Sequence, residues 1–82
     1  MKHTYGVPLW LMKKYLVDLG AAETEENVMV GDDGWQAVVS KAEPARIGSL
    51  VVGRIDVEFS GDDEAVEELL EKLHWKTMRG GG

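Results

Sequence analysis

Five groups of residues in this 82-residue sequence could carry chemistry. Arg46 and Arg54 are the first, with Ser49 between them in Glu43-Pro-Ala-Arg-Ile-Gly-Ser49. Guanidinium groups grip carboxylates and phosphates through paired N–H donors, so two of them in an acidic chain outline an anion site. The plain alternative pairs them with Glu43, Asp56 or Glu58 across neighbouring strands. Gly81 and Gly82, after Arg79 and Gly80, are the second group. A side-chain-free end can be threaded into an adenylating site, which would make its carboxylate an activated carrier group; the alternative is a frayed tail. Glu64, Glu67, Glu68 and Glu71 are the third. Paired carboxylates serve general acid/base work, but a solvated helix face uses the same residues. No histidine or serine is spaced to complete a triad with them, so the expectation is a chain that is not an enzyme. His3 and His74, the fourth group, are the only histidines. Two ligands without cysteine make a poor zinc site, and neither a metal nor any other cofactor is expected. Trp10, Trp35 and Trp75 with Tyr5 and Tyr15 are the fifth: they could line a cavity, or serve as core and interface anchors. Trp75, beside the chain end, is the best interface candidate.

Composition limits what can surround these groups. Area scaling for 9.1 kDa buries roughly 60% of the unfolded surface, enough for one modest core of two layers. The nine Lys and Arg against fifteen Asp and Glu give a net charge of −6. A binder of nucleic-acid backbone should be basic, so no nucleic-acid partner is expected. Cysteine is absent, which excludes disulfides, thiolate nucleophiles and cysteine metal sites. No apolar run approaches the roughly 18 residues of a spanning helix, and Lys13 and Lys14 interrupt the stretch from Val7 to Met12, so no membrane partner and a cytoplasmic setting are expected.

Periodicity supplies the elements. Leu9, Met12, Leu16 and Leu19 predict a helix over 8–19, with Pro8 at its first position, Trp10, Tyr15 and Val17 widening its apolar stripe, and Gly20 ending it. Ala65, Val66, Leu69, Leu70 and Leu73 predict a second helix over about 62–74, capped by Ser60 or Asp62 and followed by a short exposed tail from Lys76 to Arg79. Ile55, Val57 and Phe59 alternate with Arg54, Asp56 and Glu58, a half-buried strand. Residues 35–41, 46–51 and 27–30 predict three more, and His3 to Gly6 a fifth. Turns are expected at Gly31-Asp-Asp-Gly34, Glu43-Pro44 and Gly53. The order β-α-β-β-β-β-α, with short connections, predicts an α+β sandwich of an antiparallel sheet and two helices. It forms one domain over 1–79, with 80–82 as a flexible glycine tail.

Three stretches carry a family resemblance: Gly6-Val-Pro-Leu-Trp-Leu through Tyr15-Leu16, Ala42-Glu-Pro-Ala-Arg-Ile-Gly-Ser-Leu50, and Arg79-Gly-Gly-Gly82. Together they resemble the C-terminal domain of MoaD-related proteins, two-domain relatives of the small, sulfur-carrying subunit of molybdopterin synthase. The resemblance implies a TATA-binding-protein-like β-α-β4-α fold and no assigned activity. The sulfur-carrying half of those relatives is an N-terminal β-grasp domain, which this sequence lacks. The functional expectation is therefore a non-enzymatic accessory or interaction domain in molybdopterin and sulfur-carrier metabolism. Its implied partners are a separate β-grasp carrier or that carrier's activating enzyme, with a homodimer also open. Two other readings stand beside it: a sulfur carrier acting through Gly81 and Gly82, and a module binding a small anion through Arg46 or Arg54.

Overall fold

The alternation of Trp35, Ala37 and Val39 and of Ile55, Val57 and Phe59 places all six side chains on one face of a sheet, where they are buried. A computed structural model describes residues 1–80 and gives the order β1 (Lys2–Tyr5), α1 (Leu9–Asp18), β2 (Ala21–Glu25), β3 (Val28–Gly31), β4 (Trp35–Ile47), β5 (Leu50–Gly61) and α2 (Asp63–Gly80). The five strands form one antiparallel sheet in the order β1-β5-β4-β3-β2. Both helices cover the face that holds the six buried side chains. Met12, Tyr15 and Leu16 of α1 and Ala65, Val66, Leu69 and Leu73 of α2 close the core there. The α+β class and the β-α-β-β-β-β-α order are those the sequence predicts.

Two of the strands are not the predicted ones. Residues 46–51 do not form a strand of their own but straddle the tip of a long hairpin. β4 runs on to Ile47, and the chain reverses through Gly48 and Ser49, with Gly48 at φ 64°. Glu43-Pro44 is not a turn. It lies at a register irregularity between Ala42 and Ala45, where a strand tolerates proline because the missing N–H breaks no ladder bond. Gly53 likewise lies inside β5. The unpredicted strand is β2, whose Ala-Ala-Glu-Thr-Glu sequence buries only Ala21. It returns to β3 through Asn27 at φ 64°, a conformation asparagine tolerates.

The helices differ from expectation at their ends. Pro8 is the N-cap of α1 rather than its first helical residue, with extended backbone at φ −63° and ψ 152°. Trp10 and Val17 do not widen the buried stripe. They lie two turns apart on the outer face, and Trp10 is 67% exposed. Gly20 is left-handed at φ 104°, as a helix terminator requires. α2 is capped by Asp62, whose Oδ1 accepts the Glu64 N–H at 3.1 Å. It then continues past His74 through Lys76, Thr77 and Met78, which are helical rather than an exposed tail.

Close packing fixes two glycines. A Cβ on Gly31 would run into the Trp35 indole, and one on Gly61, at φ 117°, into the Gly34 carbonyl oxygen. The molecule is elongated, 42 × 25 × 20 Å. Its helices cover only the inner half of the β4–β5 hairpin. From Ser40 through Arg54 no residue is buried, so the outer half stands out as an arm.

Candidate functional site

The arm meets the rest of the molecule at one open groove. β1 ends at Tyr5, and Gly6, Val7 and Pro8 turn the chain away from β5 into α1. This departure leaves a groove of about 730 Å³. The start of α1 forms one wall, from Gly6 to Trp10. β5 from Leu50 to Ile55 forms the other, with Lys41, Ala42 and Pro44 of β4 alongside. Its surface is largely apolar: Trp10 stands exposed on one side, and Leu50 and Val51 stand exposed on the other. The first-turn amides of α1, at Leu9 and Trp10, have no intrahelical partner. Pro8 supplies no side-chain cap, and the first turn holds no acidic residue.

The groove is also where cations of this acidic chain collect. Lys2, Lys13, Lys72 and Lys76 are each tied to a carboxylate: Asp56, Glu23, Glu68 and Asp18. Lys41, Arg46 and Arg54 of the arm, like Lys14 on α1, enter no ion pair among the described residues. Arg54 donates from Nε to the Glu43 carbonyl oxygen at 3.1 Å, which steadies its side chain along the arm without pairing it to a carboxylate. Residues 41–54 hold Lys41, Arg46 and Arg54 against Glu43 alone, a charge of 3 − 1 = +2. The rest of the chain then carries −6 − 2 = −8.

The predicted site residues divide accordingly. Arg54 lines the groove. Arg46 sits across from Val51 near the tip, and Ser49 occupies the turn itself. The alternative pairing of the arginines with Glu58 or Asp56 is not what the structure shows. Glu58 lies beside the amino group of Met1, at 3.7 Å. Asp56 accepts a 2.6 Å hydrogen bond from the Thr4 hydroxyl and faces Lys2 at 3.6 Å. The Thr4 bond, more than Lys2 and the more distant Arg54, holds the Asp56 carboxyl below its usual value. Trp75 is exposed on α2, beside the His74 ring, and is not part of the groove. Trp35 is core, and burial pushes the Tyr5 hydroxyl pKa up. Gly81 and Gly82 lie outside the described residues.

The other candidate groups have ordinary surroundings. His3 packs against the Tyr5 and Phe59 rings. Glu64, Glu67, Glu68 and Glu71 are exposed, and Glu68 pairs with Lys72 at 3.1 Å. Among the described residues no group of three or more His, Asp or Glu is placed to hold a metal ion. No described helix is long and apolar enough to cross a membrane.

Sequence reasoning missed Lys41, Leu50, Val51 and Gly53 as groove residues. A signal was present in Leu50-Val51-Val52, three consecutive apolar residues next to a Gly-Ser turn. Such a run breaks the alternation expected of a strand with one solvated face.

No curated protein matches the chain. A family model does match, over residues 2–82, and its description is archaeal MoaD-like protein. That span takes in all three stretches that carry the resemblance, and the chain belongs to the archaeal MoaD-like protein family.

Proposed function

We propose that the chain is a non-enzymatic docking module associated with molybdopterin and sulfur-carrier metabolism. Its partner is a β-grasp sulfur carrier or that carrier's activating enzyme. The observation that carries this reading is the arm, which exposes Ile47, Leu50 and Val51 beside a groove flanked by Trp10. Large apolar side chains in so small a chain are more useful in a core than in water. Clustered exposure of this kind marks interaction surfaces. The unpaired cations at its border give the docking face a sign opposite to that of the body.

Affinity recovery tests the reading. The tagged chain is passed through native extract at low and moderate salt, and bound proteins are identified by mass spectrometry. Recovery of a β-grasp carrier or its activating enzyme is expected, and recovery of neither at any salt concentration contradicts it. The sulfur-carrier reading is separated in the same experiment. Under the docking reading, incubation with ATP, a sulfur donor and the activating enzyme leaves the intact mass unchanged. Exchange of one oxygen for sulfur at Gly82 would favour the carrier.

A second reading rests on the groove volume, which falls in the range of small-molecule sites, roughly 300–1,000 Å³. Arg54 and Lys41 at its margin suit an anion. A thermal-shift screen against pterins and phosphates separates the two: a ligand at a hundred times its dissociation constant adds about 2.7 kcal/mol, and docking alone predicts no shift.

A further inference from the structure

The free edge of β5 in the groove is laid out to accept another strand. Phe59 donates its N–H to the Met1 carbonyl oxygen at 2.7 Å, and its own carbonyl oxygen accepts from the Met1 amino group at 3.1 Å. Both backbone groups of Phe59 therefore point to the β1 side. Backbone direction alternates along a strand, so Val57, Ile55, Gly53 and Val51 point the same way. β1 pairs with β5 from Glu58 to Ile55 and then leaves. Gly53 and Val51 consequently direct two N–H and two C=O groups into the groove, and no backbone partner for them occurs among the described residues.

The two free edges of the arm are treated differently. The β4 edge carries Lys41, Pro44 and the irregularity between Ala42 and Ala45. These are devices that stop strands from pairing edge to edge. The β5 edge from Leu50 to Gly53 reads Leu-Val-Val-Gly, with no charge and no proline. Gly53 is not required by the packing of the chain, because a Cβ there would meet nothing within 4 Å. Its absent side chain opens the edge to the approach of another backbone.

Charge selects the occupant. Lys41 lies opposite Ile55 and Arg46 opposite Val51, so both sit on the helix-side face of the arm, one strand in from the free β5 edge. An added strand would lie roughly 10 Å from them, two strand spacings away, within reach of long side chains. A second copy of this chain pairing β5 to β5 would bring two arms of +2 together, which charge repulsion disfavours. An acidic segment meets the opposite sign. We propose that the groove binds an extended, acidic peptide segment of a partner protein by strand addition to β5, with Val51 and Gly53 supplying the backbone hydrogen bonds and Lys41 and Arg46 facing its carboxylates. This rests on the docking reading above and specifies its mode.

A displayed library of random nonapeptides, panned on the full chain, tests it. The selected peptides should alternate apolar residues with Asp or Glu. N-methylation of the alternate amides that face β5 should weaken their binding about ten-fold, as expected for one or two lost backbone hydrogen bonds. N-methylation of the intervening amides should have little effect. Gly53→Pro should weaken binding similarly with an unchanged circular dichroism spectrum, and the methylated peptides give the same readout on the unaltered protein if that variant misfolds. Failure to enrich acidic sequences, or binding insensitive to which amides are methylated, overturns the proposal. If Gly53→Pro recovers carrier or activating enzyme from extract as efficiently as the unaltered chain, strand addition is excluded while the docking reading stands.

Discussion

At the residue scale, two carboxylates, exposed Glu23 and half-buried Asp56, are each tuned chiefly by one neighbour. The Lys13 ammonium, at 2.9 Å, is the main cause of the lowered Glu23 pKa, and the Asn27 N–H adds to it. The Thr4 hydroxyl is the main cause for Asp56. A carboxylate whose pKa is lower folded than unfolded contributes stability above its unfolded value. For Asp56 that contribution is present above about pH 3.8 and is lost as pH falls through the lower folded value. Thr4→Val should move the Asp56 pKa up toward 3.8, read by carboxyl-detected NMR titration. A Glu23 titration unchanged in that variant confirms that the effect is local.

Glycines make a second test at this scale, because one substitution has opposite signs at two positions. Gly31→Ala drives a Cβ into the Trp35 ring and should cost about 1–3 kcal/mol in urea unfolding. Gly53→Ala meets open space and should be neutral or stabilising by up to about 1 kcal/mol, through lower entropy of the unfolded chain. A large loss at Gly53 would show that the arm is held by contacts the structure does not contain.

At the scale of elements, what was legible followed periodicity. The stripe from Ala65 to Leu73 and the alternation from Arg54 to Phe59 each put their apolar residues where the core needed them. Leu73 is fully buried at the centre of that arrangement, so Leu73→Ala should cost about 2–5 kcal/mol of unfolding free energy by chemical denaturation. Elements without periodicity were not legible. β2 is an edge strand that buries one residue in five, which leaves no apolar pattern to see. The β4–β5 arm misled differently: Pro44 and Gly53 signal turns by type, yet an exposed hairpin edge has room for both. α2 beyond His74 lost its apolar stripe without losing its helix, since no breaker intervenes before Gly80.

The candidate site was legible only as separate side chains. Arg46, Arg54 and Ser49 were singled out by type, with Ser49 expected inside a strand and the turn at Gly53 rather than at Gly48-Ser49, and the groove exists because β1 departs at Tyr5 while β5 continues. That is a relation between two neighbouring strands whose paired residues Tyr5 and Ile55 are 50 residues apart in sequence. Trp75 was singled out because it is aromatic and stands beside the chain end, and it lies outside the groove.

At the scale of the whole molecule, shape and charge agree. A body of −8 carries an apolar-tipped arm of +2, and the arm gives the molecule its 42 Å length. An arm that contributes nothing buried can be altered without unfolding the body. The account therefore separates binding from stability in one experiment: calorimetric titration of the chain and of its Leu50→Asp variant against a purified β-grasp carrier and against its activating enzyme. The prediction is that one of the two partners binds the unaltered chain, and that Leu50→Asp loses at least about ten-fold in affinity with an unchanged melting temperature. Binding of neither partner, or equal binding by both forms of the chain, would contradict it.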